Sequence, residues 1–526
     1  MFRNLSPRAS ALASLLSLNL AYSDSAYSAS ETKTLPEIAL QASAPPVESR
    51  ADLYGQNLGP IDWHGHGKKV PPILWSVERN APHPAWEPLT HAFPVRHMRF
   101  NVGNGYRWQD GVGPISERKV IKVPGWEPPY RTEAGLDEFL RWVESLPGKP
   151  GATLIVSPFL PVQDAADLVA YCNATTGPMA EWRAKNGHPE PYAIKAWELG
   201  NETDWVNRQD LDVTRKDTDK EKSGKMPVSE YITLCKERIA AMRAVDPEIT
   251  IYAHAATAPF ATTNPGWRAW HREVLRKMGG EIDGIALHPY YDGYTVPVIM
   301  ESIDALAGDI HDLQPPGKNL GIWVSEHSKW IDYEKRENWP QSWGLAGAIS
   351  TADFLLQCMA RPDVKLASYW YFVGNGPWRV LSADWEKGGE QKFGTGMHAL
   401  FQLLNAAYLP RFEALKVKGT ESISPPANYA YTVSAGHFSD PTTGAKSWVL
   451  VNRSPEQDFR VRLPGVAAGK PLKQLVVTGD SLQASNVPET PKAVKLQTTT
   501  LEPVLTSDEQ ATVTLPARSV TAWIQE

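Results

Sequence analysis

The chain has 526 residues, too many for one ordinary domain and enough to bury a large core, so its length points to two domains. Charged residues make up 21% of it and the formal net charge is −6, with no basic block of the kind that binds nucleic acid. Beyond the first thirty residues, no stretch approaches the ~20 apolar residues of a membrane-spanning helix.

Residues 1–30 read as a secretory signal peptide. Arg3 and Arg8 supply the positive start, 11–21 a short apolar stretch broken by Ser14, Ser17 and Asn19, and small residues over 23–29 a cleavage region. This predicts a secreted or periplasmic protein. Residues 31–50 are extended and contain prolines, and they predict a strand joined to a later β domain. Over 51–408, apolar runs alternate with helical patterns. The predicted strands are 51–56, 96–100, 152–158, 196–200, 250–254, 284–288, 321–325 and 366–372. Between and after them, 3.6-residue periodicity predicts helices over 136–146, 165–186, 229–245, 266–278, 298–313, 344–359 and 397–407.

Short strands alternating with helices imply a parallel sheet with crossover helices. Eight such units favour an α/β (β/α)8 barrel, a TIM barrel, over an open doubly wound sheet, and no Gly-rich dinucleotide fingerprint follows the first strand. Cys172, Cys235 and Cys358 all fall in predicted helices, as expected of free buried thiols. Past residue 408 the pattern changes to alternating runs at 429–435, 447–452, 459–463, 474–478, 494–498, 511–515 and 520–524, separated by turn residues. That predicts a C-terminal all-β sandwich over 409–526, completed from the N-terminal side by residues 35–48.

In such a barrel the active site lies where strand C-termini converge. Glu202 closes Trp197-Glu-Leu-Gly-Asn-Glu202 after the fourth strand, Glu326 ends the seventh, and His288 ends the sixth. Two carboxyl groups roughly 5 Å apart across a sugar are what retaining glycoside hydrolysis needs, one as acid/base and one as nucleophile. Asn201 stands where it can bond the sugar 2-hydroxyl, and His288 where it can donate to a hydroxyl or hold the nucleophile ionised. Glu198, earlier in the same motif, is read as structural. The 20 Trp and 18 Tyr exceed what a core alone needs and suit stacking against sugar rings.

Two other classes fit parts of the sequence. Asp62-Trp-His64-Gly-His66 offers two histidines at i and i+2, which with His254 and His288 would make a metal-dependent hydrolase. A carbohydrate-binding barrel without turnover would use the Trp-rich cleft alone.

The motifs together resemble glycoside hydrolase family 51, best known for α-L-arabinofuranosidases, within the barrel clan that shares the Asn-Glu acid. His97-Met-Arg-Phe-Asn-Val-Gly-Asn104 and Tyr106-Arg-Trp-Gln-Asp-Gly-Val-Gly-Pro114 are similar to two consecutive family blocks. Gly135-Leu-Asp-Glu-Phe-Leu140, Tyr171-Cys-Asn173 and 182–192 then lead into the Asn-Glu motif in the family's order. The resemblance runs from about residue 50 to 408. It implies Glu202 as acid/base and Glu326 as nucleophile, with Arg99, Asn104, Asn201, His288 and Tyr290 as supports or substrate contacts. It implies no metal and no organic cofactor, and as substrate an oligosaccharide or polysaccharide of plant or algal cell-wall type.

Departures from the family pattern concern the sugar. Where the family has a Glu after its first strand, this chain offers Gln56 or Asn57, and an amide donates as well as accepts. Asn101-Val-Gly-Asn104 replaces Pro-Gly-Gly-Asn, and His327-Ser328 replaces the Trp-Asn that commonly follows the nucleophile. Endoglucanase, xylosidase and galactofuranosidase activities therefore stand as alternatives to arabinofuranosidase.

Overall fold

Eight parallel strands close on themselves around the first two-thirds of the chain. The structure, a computed structural model, describes residues 35–526 apart from 59–73, 77, 103–106, 124–125, 205–225, 258–265, 293–295, 333, 375, 421–424, 426–428 and 504–509. The expected leader, His64, His66 and Asn104 lie outside the described residues.

After an N-terminal strand β1 (Glu37–Ala42), the barrel strands are β2 (Gly55–Leu58), β3 (His97–Asn101), β4 (Gly151–Val156), β5 (Ala196–Leu199), β6 (Thr250–His254), β7 (Gly284–Leu287), β8 (Gly321–Lys329) and β9 (Val364–Tyr369). Each pairs in parallel with the next, and β9 returns to β2, so the ring has no edge. Strands covered on both faces read as near-continuous apolar runs, as in Gly-Ile-Ala-Leu of β7, where all four residues are buried. Gly284 has a packing reason: a Cβ there would run into the Gly321 carbonyl and the Tyr252 ring.

The predicted strands are recovered, most with shifted ends, and three differences from the sequence reading have physical causes. Residues 51–54 form a 3-10 turn, and β2 begins only at Gly55. An apolar run without clear period does not separate a tight turn from a strand. The helix expected over 165–186 is two helices, Val162–Asn173 and Pro178–Lys185, because Gly177 at φ 93° and Pro178 stop the first and start the second. β8 runs four residues past its predicted end, with a register shift against β9 between Val324 and His327. Glu326 therefore lies inside the strand, at the irregularity, rather than at its end.

The C-terminal residues form a second, mixed sheet. Its strands are β10 (Arg411–Lys418), β11 (Val433–Ser439), β12 (Lys446–Asn452), β13 (Phe459–Leu463), β14 (Leu472–Gly479), β15 (Val494–Leu501), β16 (Ala511–Leu515) and β17 (Ser519–Gln525). The order is β15-β14-β17-β12-β11-β10-β1-β13-β16. β1 lies antiparallel to β10 and parallel to β13, as the extended reading of residues 35–48 anticipated. Leu472 near one end of this order shares a core with Phe459 and Leu515 at the other, so the sheet folds over on itself. β10 was not anticipated, because its Glu, Lys and Arg residues leave little apolar alternation.

β12 and β17 are buried on both faces. Trp448, Leu450 and Trp523 face the folded sheet's own core. Val449, Val451, Val520 and Ala522 belong to the core of the barrel side. There they pack with the helices Leu345–Met359 and Gly396–Ala407, and each fully buried Val or Leu contributes roughly 1.5–3 kcal/mol. The second helix starts at Thr395, whose hydroxyl accepts from the Met397 N–H at 3.2 Å. This apolar seam holds one wall of the barrel against the second sheet.

Candidate active site

Arg99, on β3, is fully buried inside the barrel and organises the rim. Its Nε donates to Glu198 Oε2 at 2.5 Å, its Nη1 to Asn57 Oδ1 at 2.9 Å and to Glu326 Oε1 at 2.8 Å, and its Nη2 to Asn201 Oδ1 at 2.7 Å. One guanidinium thus ties together side chains from β2, β5, the turn after β5, and β8. The planar fork of an arginine suits this, since its donors point in fixed directions. Asn57 is fixed in turn, donating from Nδ2 to the carbonyls of Ser325 at 2.8 Å and Ser368 at 3.1 Å.

His288, just past β7, reaches the same group. Its Nδ1 stands 2.9 Å from Glu202 Oε1 and 3.6 Å from Glu326 Oε2, and its Nε2 stands 3.8 Å from Glu198 Oε1. Burial alone would depress the imidazole, but Glu326, Glu198 and Glu202 outweigh it and push its pKa up to about 10. His288 is therefore an imidazolium that donates to carboxylates. Tyr290 donates its hydroxyl to Glu326 Oε2 at 3.1 Å. Burial, with Glu326 and Glu202 nearby, holds that phenol well above its ordinary range, so it stays a donor.

Glu202 sits in a constrained turn. Gly200 has φ 86° and Glu202 has φ 52°, a left-handed conformation that costs a residue with a Cβ roughly 1–3 kcal/mol. The turn is over-determined by its neighbours. The Thr203 hydroxyl bonds His254 Nε2, and His254 Nδ1 donates to the Ala255 carbonyl at 2.6 Å. Tyr231 donates to the Leu199 carbonyl at 2.7 Å, and Asp204 accepts from the Thr257 N–H at 2.9 Å. The result is a carboxylate turned to the barrel mouth, 19% exposed, while Glu326 opposite it is 7% exposed.

One atom each of Glu202, His288 and Glu326 lie within 4.8 Å of one another. Burial pushes the Glu326 carboxyl up, His288 and Arg99 pull it down, and the Glu202 carboxylate adds to the push. Glu198 differs. Burial would raise it, but Arg99 and His288 overcome that and bring its pKa down to about 2. Counted fully ionised, the three carboxylates outnumber the two cations by one.

A Glu-His-Glu cluster is also a possible metal set, and its chemistry argues against that use here. A metal-bound imidazole must offer a lone pair, whereas His288 Nδ1 lies 2.9 Å from Glu202 Oε1 and Nε2 is occupied by the Arg99 guanidinium at 3.5 Å, with Glu198 Oε1 at 3.8 Å. The Arg99 guanidinium on Glu326 would also repel a dication. His254, the other histidine considered as a ligand, has both ring nitrogens in hydrogen bonds.

Of the residues singled out in the sequence, Glu202, Glu326, Asn201, His288, Tyr290, Arg99 and Asn57 converge here. Gln56 does not. It alternates with Asn57 along β2, so it faces away from Arg99, and among the described residues neither of its buried amide atoms has a hydrogen-bond partner. Glu198 and Ser325 belong to the cluster and had no part in the sequence reading of the site; Ser325 Oγ donates to Glu198 Oε1 at 2.9 Å. At the rim, Tyr290 packs on Trp378 with ring centroids 4.9 Å apart and on Trp330 at 6.2 Å, and Trp330 is 52% exposed.

The family model for the alpha-L-arabinofuranosidase 1 domain matches residues 95–271. An exo-α-(1→6)-L-arabinofuranosidase of Bifidobacterium longum is 25% identical over 492 residues, covering 82% of this chain and 85% of that protein. An intracellular exo-α-(1→5)-L-arabinofuranosidase of Bacillus subtilis is 30% identical over 200 residues, which span 38% of this chain and only 36% of that relative. In structure, the family 51 α-L-arabinofuranosidase AbfB of Bifidobacterium longum aligns with a TM-score of 0.75 at 20% identity, covering 94% of this chain and 100% of that one. The fold is thus shared over 94% of this chain.

Proposed function

We propose that this chain, an arabinofuranosidase-like glycoside hydrolase of the family 51 type, releases terminal α-L-arabinofuranosyl groups from plant or algal cell-wall-type oligosaccharides or polysaccharides with retention of configuration. The observation that carries the reading is that one carboxyl oxygen of Glu202 and one of Glu326 lie within 4.8 Å of each other across the barrel mouth, too close for a water-admitting gap. An inverting pair stands roughly 6.5–9.5 Å apart to admit a water between its carboxyl groups, and a retaining pair stands roughly 5–5.5 Å apart.

In the first step Glu202 gives its proton to the glycosidic oxygen while Glu326 attacks the anomeric carbon. The bond to the leaving alcohol breaks and a glycosyl ester forms on Glu326. In the second step Glu202, now a carboxylate, takes a proton from a water as its oxygen attacks the same carbon. The ester bond to Glu326 breaks, the sugar leaves, and the pair returns to a protonated Glu202 and an ionised Glu326. Arg99 and Tyr290 hold the two Glu326 oxygens, at 2.8 and 3.1 Å, and so orient the nucleophile. Asn201 has its carbonyl oxygen taken by Arg99 and so presents its amide N–H2 to the sugar 2-hydroxyl. The Tyr290, Trp378 and Trp330 rings offer an apolar wall for a sugar face. The leader-like residues 1–30 support export to the periplasm or the medium.

Glu326→Ala tests the assignment. Turnover should fall on the order of 10⁴-fold or more, and azide should restore it by yielding the glycosyl azide of inverted configuration. Undiminished turnover in that variant removes Glu326 from the chemistry.

A further inference from the structure

Retaining hydrolysis requires the catalytic pair to hold one proton between its two carboxyl groups at working pH. Glu202 and Glu326 alone would face two cations, Arg99 at 2.8 Å from Glu326 and the His288 imidazolium at 2.9 Å from Glu202. Two cations against two carboxylates make a neutral set in which both carboxyl groups ionise and no acid is left. Glu198 changes that balance. It lies wholly buried behind both cations, 2.5 Å from Arg99 Nε and 3.8 Å from His288 Nε2, and the Ser325 hydroxyl fixes its Oε1 at 2.9 Å.

We infer that Glu198 is a positioning residue that retains the catalytic proton: its buried negative charge offsets Arg99 and His288 from behind, so that Glu202 and Glu326 share one proton instead of losing both. The inference rests on the retaining reading above and adds a third carboxylate to it. Glu198 touches neither sugar nor reacting atoms and acts through Arg99 and His288. Its own charge is secure, since those two cations hold its pKa near 2. Among the described residues, Asp204 faces His254 and the Thr257 N–H, outside the contacts of Arg99 and His288. Burial holds Tyr290 and Tyr231 above their ordinary range and keeps His254 below its own. Among the described residues, the charges in contact with the catalytic pair are therefore those of Arg99 and His288, with Glu198 behind them.

The sign follows directly. Removing the Glu198 charge exposes the catalytic pair to two uncompensated cations, which favours the ionised pair. The group that must stay protonated then loses its proton at lower pH. The experiment is kcat/KM against pH on an aryl α-L-arabinofuranoside for the full chain and for Glu198→Gln and Glu198→Asp. The alkaline limb should move down by about one pH unit or more in Glu198→Gln, an opposing charge at this range being worth roughly 1–3 units. In Glu198→Asp, whose carboxylate is drawn back from Arg99, it should move by a smaller step in the same direction. An alkaline limb at the wild-type position, in whichever of the two variants folds, overturns the proposal, even if activity falls uniformly across pH. Glu326→Ala is measured alongside. If it is inactive and the limb does not move, only the role of Glu198 fails. If it keeps wild-type turnover, the retaining reading fails with it.

Discussion

Two fully buried arginines, Arg99 in the barrel and Arg453 where the barrel meets the second sheet, show what a buried charge does when it is balanced and when it is not. Arg453 meets one carboxylate, Asp353 at 2.8 Å, and is flanked by the Ser434 hydroxyl at 3.1 Å and the Tyr431 ring at 4.6 Å. Tyr431 completes the set by donating to Asp353 at 2.6 Å. Arg99 meets two carboxylates, and with His288 beside it the site holds three acids against two cations. The first arrangement sets one cation against one carboxylate, so its charges balance. The second is one negative charge in excess and opens on the barrel mouth, so its last carboxyl group exchanges a proton with whatever enters.

That contrast can be broken at either end. Asp353→Ala should have the larger effect on folding, because it leaves Arg453 buried and unpaired at a cost of about 3–5 kcal/mol. The urea midpoint should fall accordingly, while the pH profile of the folded fraction stays where it was. A shifted profile would mean the two regions are coupled. Tyr290→Phe is the converse case, with a smaller effect. It removes a donor to the charged nucleophile, worth about 1.5–3 kcal/mol, so kcat/KM should fall about 10- to 100-fold with little change in the urea midpoint. Equal losses in stability and rate would place Tyr290 with the structural groups instead.

Much of this was legible in the sequence because barrel strands are short, apolar and buried on both faces; the runs at Thr250–His254 and Phe459–Leu463 match their predicted bounds without shift. The convergence of Glu202, Glu326 and His288 followed from strand ends alone. The rest depended on parity and local irregularity. Gln56 and Asn57 are chemically alike, and only the phase of β2 decides which faces Arg99. The shift in β8 that carries Glu326 inside the strand has no sequence signature. Glu198 had a signal that went unused: a charged residue in a strand with no exposed face needs a buried partner, and Arg99 two strands away was the available cation.

The most direct test of the retaining assignment is the configuration of the first product. Proton NMR of an early time course on an aryl α-L-arabinofuranoside, before mutarotation, should show α-L-arabinofuranose appearing first and the β anomer growing in only later. Initial release of the β anomer would contradict a double displacement at Glu326 and Glu202.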